Sequence, residues 1–242
     1  MGRMSNEIQE LVLSAPGRNA LSSEFMQRLI DELRNAAGKP LLLSGANGAF
    51  SAGLNLKEVA SLDLNGMTRF LGLLDELIDA LYLYPGPTVA CVNGHAIAGG
   101  CMLVLCCDLR IAVDDDRVRI GLNEVPLGLE FPPKLLALAV DRVAPRSRDR
   151  VLLEGGLHDP RTALQLGLID EVAGDVHATG RAAIERFAAS PRAEYIATKN
   201  ALRTGKLDLS SDQQRYFREH IVPTWCSEAV KERARARLQS KS

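Results

Sequence analysis

An α/β fold is predicted, with a core of parallel strands joined through helices and then a helical C-terminal part. In the first half of the chain, short apolar segments alternate with amphipathic stretches, and from Pro132 onward the patterns are almost all helical. Strands separated by helices imply βαβ connections, which make parallel pairs. The 242 residues, 46% hydrophobic and 24% charged, suit one such domain with a sizeable core. There is neither an internal repeat nor a low-complexity linker.

The elements follow in order. Residues 10–14 form a short strand, and Ser22 or Ser23 caps a helix whose Phe25, Met26, Leu29, Ile30 and Leu33 recur at the spacing of one buried face. Gly38 ends it. A buried strand over 40–44 (PLLLS) leads to a loop over 45–55. Met67, Phe70, Leu71, Leu74, Leu77, Ile78 and Leu81 mark a long helix, which Pro85-Gly86-Pro87 stops. A strand over 88–93, a Gly-rich turn, an apolar helix over 99–107 and a strand over 108–113 come next. Helices are then expected over 133–143, 146–154, 160–167, 177–189, 191–203 and, with breaks, 211–238. Only 168–173 (LIDEVA) reads as extended there.

Composition excludes several classes of function. Lys plus Arg number 29 against 30 Asp plus Glu, which offers no broad basic surface to nucleic acid. The longest apolar run, 96–107, is too short for a membrane span of about 20 residues. No signal-like run opens the chain, so a cytoplasmic location is expected. The five cysteines form no CxxC pair and no Cys/His spacing suited to zinc, so they read as small buried hydrophobes and no metal is expected.

Three segments are candidates for chemistry. Two are glycine-containing turns from strand to helix, 48–57 (GAFSAGLNLK) and 93–101 (NGHAIAGGC), where bare backbone N–H groups can approach a ligand. Neither fits a dinucleotide or P-loop fingerprint, and an ordinary tight turn is the other reading of each. The third, 120–130 (IGLNEVPLGLE), sets Glu124 and Glu130 in an apolar loop. Such surroundings raise a carboxyl pKa and suit proton transfer, although a helix cap or a partner for Lys134 or an Arg would use the same residues.

In this order, FSAGLNLKEV (50–59), VNGHAIAGGCMLVLCCDLRIA (92–112) and IGLNEVPLGL (120–129) resemble the enoyl-CoA hydratase/isomerase, or crotonase, superfamily. RNAL (18–21) and ALQLGLIDEV (163–172) resemble its flanking signatures, so the likeness covers nearly the whole chain. The resemblance implies a spiral of ββα units over 1–190 continuing into a C-terminal helical trimerisation region over 191–242, as a homotrimer or dimer of trimers. It implies an acyl-CoA thioester substrate whose enolate oxygen meets the N–H groups of Leu54 and Gly99. Ser51, Ala52, Gly53, Leu54 and Asn55 would line the CoA channel, with Lys57 near its mouth. CoA would enter as part of the substrate, with no separate cofactor.

Within the superfamily, hydratases carry a glutamate shortly after the Gly-Gly pair, where this chain has Met102. Their second glutamate matches Glu124. One glutamate with an apolar residue opposite resembles the Δ3,Δ2-enoyl-CoA isomerases, with Glu124 as the single base and Met102 as an apolar wall. A hydratase or other acyl-CoA lyase or hydrolase using Glu130, and a catalytically silent acyl-CoA binder, are the alternatives. His95 and Trp225 read as packing residues, and the basic run 231–237 as a solvated helix face or a contact to CoA phosphates of a neighbouring subunit.

Overall fold

The computed structural model describes residues 7–239. Strand β1 (Gln9–Leu13) leads through a tight turn, α1 (Pro16–Asn19), into α2 (Ser23–Asn35). Then β2 (Leu41–Gly45) and the short β3 (Ala49–Ser51) precede α3 (Leu56–Val59) and the long α4 (Leu64–Tyr82). Next, β4 (Thr88–Val92) and β5 (His95–Ile97) run into α5 (Gly99–Cys106), and β6 (Leu109–Val113) and β7 (Ile120–Gly121) precede α6 (Pro133–Arg142). Helix α7 (Pro160–Leu166), strand β8 (Glu171–Ala173) and helix α8 (Val176–Ala188) follow. The chain continues through α9 (Arg192–Arg203), α10 (Ser211–Tyr216), α11 (Val222–Trp225) and α12 (Glu228–Gln239).

The longer strands form one parallel sheet in the order β1-β2-β4-β6-β8, and the short ones a second, β3-β5-β7. Registers such as Leu41↔Thr88 and Val89↔Leu109 keep the strands in step. Each successive unit therefore adds one strand to each sheet before a helix, which makes a spiral of ββα units. The inner strands β2 and β4 are buried along their whole length because both faces are covered, whereas on edge strand β1 Glu10 and Val12 are exposed. Leu41, Leu43, Ala90, Val92 and Ala112 face the large core with α2, α4 and α5. Alternate residues Leu42, Val89, Cys91 and Ile111 face Val176, Ala183 and Ile184 of α8.

The second sheet occupies segments expected as loop and turn. Strands of two or three residues carry no period for a sequence pattern to display. The helix expected over 146–154 is instead a 3₁₀ turn at Pro145–Ser147 and a π-helical turn at Arg150–Glu154. The run over 211–238 breaks at a second π turn, Phe217–Ile221. Pro223 follows immediately and has no N–H to donate to the preceding turn, which accounts for the loss of regular helix there.

Buried ion pairs hold α9 and the turn before β8 to the sheet. The Asp108 carboxylate accepts from Thr88 N, the Tyr195 hydroxyl and Lys199 Nζ, and pairs with Arg203 at 2.6 Å. Lys199 and Arg203 are both buried. Arg110, also buried, grips both oxygens of Asp170 and donates to Gly167 O, which fastens β6 to the turn before β8. Four cysteines are buried and Cys226 is half-buried, all as free thiols. Among the described residues no helix is long and apolar enough to cross a membrane.

Candidate active site

The first turn is held from below by Asn19. Its buried amide donates to Ala46 O, Ala49 O and Phe50 O and accepts from Ala15 N, so one side chain satisfies backbone groups from two loops. Asn19 sits at φ +60, a left-handed conformation that asparagine tolerates. Leu21 then runs parallel to the turn, donating to Gly53 O and accepting from Asn55 N. With both neighbours paired on that side, the Leu54 N–H faces the other way, as strand alternation requires. Among the described residues it meets no acceptor.

The second turn is fixed to the first. Asn93 exchanges two hydrogen bonds with Gly45, its amide accepting from Gly45 N at 3.0 Å and donating to Gly45 O at 2.6 Å. Gly99 is the first residue of α5, so its N–H belongs to the unpaired first turn of a helix, where the dipole favours negative charge. Ala98 before it holds φ +51 and ψ −121, a strained conformation for a residue with a Cβ, costing about 1–3 kcal/mol. Close approach needs bare glycine: a Cβ on Gly100 would lie 2.4 Å from Ser51 O, and one on Gly53 (φ +87) 2.8 Å from Ile97 O and 3.3 Å from Gly99 N.

Glu124 closes the arrangement. It precedes the 3₁₀ turn Val125–Leu127, and its carbonyl accepts from Leu127 N and Leu129 N. The side chain is only 4% exposed, and Oε2 has no hydrogen-bond partner. Burial pushes the carboxyl up from 4.5 to about 7. Leu54, Gly99 and Glu124 line one cavity of about 80 Å³ with Ala52, Leu74, Leu127, Leu129, Leu135 and Trp225. Glu124 is the one carboxylate on that lining, and Arg233 and Arg237 are its cations. Asn123, also on the wall, has an unpartnered buried Oδ1.

The other candidate residues are placed as follows. Ser51 is fully buried and off the cavity lining, its hydroxyl donating to Asn19 O and accepting from Gly53 N. Asn55 caps α3 through Lys57 N and Glu58 N rather than facing the cavity, and Lys57 is exposed outside it. Met102 packs in the core, and the apolar wall is made by the leucines of α4, α6 and the 125–129 turn. Glu130 points away to the exposed Tyr216 hydroxyl, while its backbone carbonyl accepts from Trp225 Nε1. Lys134 pairs with Asp79, and Arg142 donates to Leu105 O and Cys107 O, so neither partners Glu130. His95 Nδ1 accepts from Arg119 N, as a hydrogen-bonded packing histidine.

Asn19, Asn123 and Trp225 acquire roles that spacing alone did not give them. The basic run splits: Lys231 and Arg235 pair with Glu228, whereas Arg233 and Arg237 reach this chain's own cavity, Arg233 donating to Gly128 O. Helical phase was the available signal, since Val230, Arg233, Ala234 and Arg237 share one face.

The sequence profile of the family described as enoyl-CoA hydratase/isomerase matches residues 3–237. The chain belongs to that family. Mouse mitochondrial enoyl-CoA delta isomerase 1 is 33% identical over 203 residues, covering 81% of this chain and 70% of that protein. A Mycobacterium avium protein named "Probable enoyl-CoA hydratase echA17" is 35% identical over 196 residues, covering 78% and 75%. The crystal structure of human mitochondrial delta3-delta2-enoyl-CoA isomerase superposes with a TM-score of 0.89 at 28% identity, over 96% of this chain and 93% of that one. This enoyl-CoA hydratase/isomerase family member thus has a crotonase fold, and its similar sequences carry both activities in their names.

Proposed function

We propose that the chain is an enoyl-CoA isomerase moving a 3-enoyl-CoA double bond to the 2-position. The observation that carries this reading is a single buried carboxylate, Glu124, with one orphan oxygen in an apolar cavity that two unpaired backbone N–H groups also line. Glu124 removes a proton from C2, and the C–H electron pair forms a C1=C2 bond as the thioester carbonyl oxygen takes the negative charge, with the C3=C4 double bond in conjugation. Leu54 N–H and Gly99 N–H hold the resulting dienolate oxygen, each such donor being worth about 3–4 kcal/mol. The same carboxyl group delivers the proton to C4 and is regenerated. A carboxyl pKa of about 7 lets it give and take the proton near neutral pH. The leucine walls keep water from the dienolate.

CoA is here part of the substrate and no further cofactor is invoked. Arg233 and Arg237 suit its phosphates at the open edge of the cavity. The reading extends to a cytoplasmic location and to a homotrimer or dimer of trimers, the assembly being supported by exposed apolar Leu136 and Val140 on α6 beside Tyr216. A hydratase or hydrolase reading needs a second acid, and Glu130 lies outside the cavity.

Purified protein is incubated with 3-enoyl-CoA and, separately, with 2-enoyl-CoA, and products are followed by mass and conjugated-thioester absorbance. The expected outcome is 2-enoyl-CoA of unchanged mass, with Glu124→Gln slower by about 10²–10⁴-fold. Gain of one water, or release of CoA, would overturn it in favour of the alternatives. Binding without turnover would favour the silent binder.

A further inference from the structure

The cavity has unlike ends. On α12, Val230, Arg233, Ala234 and Arg237 all contribute to its wall, and Val230 and Arg237 are seven residues, about 10 Å, apart. Val230 is buried, whereas Arg233 and Arg237 are exposed. The cationic end is therefore the mouth. Elsewhere on the wall Leu74, Pro132, Leu135 and Trp225 are all buried, and Trp225 is the bulkiest side chain on the lining.

Trp225 is 2% exposed and pinned at its polar edge, where Nε1 donates to Glu130 O at 3.0 Å. Glu130 lies just beyond the turn that starts at Glu124, so the indole is tied to the backbone that carries the carboxylate. Swinging it aside would break that bond and leave a buried N–H unpaired, a penalty comparable to a hydrogen bond to the protein. Trp225 is thus a fixed wall rather than an adaptable one.

We infer that the Trp225 indole is the closed end of the acyl-binding part of the cavity and restricts the substrates to short, apolar acyl chains. This rests on the acyl-CoA reading above and adds the substrate class to it. Methylenes fill the space up to the ring, and longer chains meet it.

The test measures affinity by calorimetry for saturated straight-chain acyl-CoA esters lengthened two carbons at a time from butanoyl-CoA to dodecanoyl-CoA, which needs no turnover. Affinity of the wild-type protein rises about fourfold per accommodated methylene, then stops rising or falls. Trp225→Ala moves that break to longer chains, and Trp225→Leu moves it less. Trp225→Phe, which keeps most of the bulk but loses the donor, moves it less than Trp225→Ala does. A break at the same length in wild type and in a folded Trp225→Ala or Trp225→Leu protein overturns the proposal, as does affinity that climbs unbroken to dodecanoyl-CoA. A Trp225-dependent break without isomerisation of any 3-enoyl-CoA supports the wall and defeats the isomerase reading alone. No binding of any ester defeats both.

Discussion

Glu124 illustrates how one side chain links folding to chemistry. Its carboxyl is desolvated and its Oε2 unpartnered, so the neutral form is favoured in the folded chain. Between pH 4.5 and about 7 the unfolded chain releases a proton that the folded chain keeps, so this group's contribution to stability falls as pH rises through that window. Activity runs the other way, because the base must be ionised. We expect kcat/KM for 3-enoyl-CoA to rise with pH along a limb with an apparent pKa near 7, and Glu124→Gln to gain stability over wild type above that pH, by on the order of 3 kcal/mol. A flat rate profile down to pH 5 would contradict the assignment of Glu124 as base. Asn19 acts at the same scale without touching the cavity. Asn19→Ala removes its bonds to three carbonyls and to the Ala15 N–H, and we expect a loss of about 2–4 kcal/mol in denaturant unfolding.

At the scale of elements, what matters is how closely two turns approach. Turn 51–55 and the start of α5 lie against each other only because Gly53 and Gly100 carry no Cβ. A Gly53→Ala side chain would meet Ile97 O and Ala98 Cβ at a positive φ, pushing the Leu54 and Gly99 N–H groups apart. We expect about 1–3 kcal/mol of destabilisation and a loss of roughly 10²-fold in kcat with a smaller change in KM. Steady-state kinetics on the purified variant checks this, and an unchanged kcat would mean the spacing of the two donors is not critical. The π turn at 217–221 acts in the same way on the C-terminal side, re-aiming the chain ahead of Pro223 so that Trp225 and then α12 reach the cavity.

For the whole molecule, the last two helices, α11 and α12, are part of the site, and Asp108 ties α9, which precedes them, to the sheet. Asp108→Asn leaves Lys199 and Arg203 buried beside a neutral group, and breaking such a pair costs about 3–5 kcal/mol. Urea unfolding of the variant should show a lowered midpoint; an unchanged midpoint would make the cluster dispensable. The exposed Leu136 and Val140 bear on assembly. Light scattering should give three or six times the chain mass, and a monomer at micromolar concentration would remove the trimer reading.

Much of this was legible in the sequence because it depends on local period and on local backbone freedom. The long strands of the parallel sheet, α2, α4 and the apolar α5 all show in the spacing of Leu, Ile, Val and Phe, since each buries a stripe or a face. The two glycine turns and Glu124 were legible as well, and the structure brings them to one cavity. The second sheet was not, because its strands are too short to carry a period. Nor was the division of labour among neighbouring residues: that Ser51 and Met102 turn inward, that Glu130 turns out, and that Trp225 and Arg237 meet the cavity more than 100 residues after Glu124. Spacing along the chain fixes which face a side chain takes on its own element. Which element that face then meets is decided only when distant segments pack, and the unpaired groups of a site are those that packing leaves without a partner.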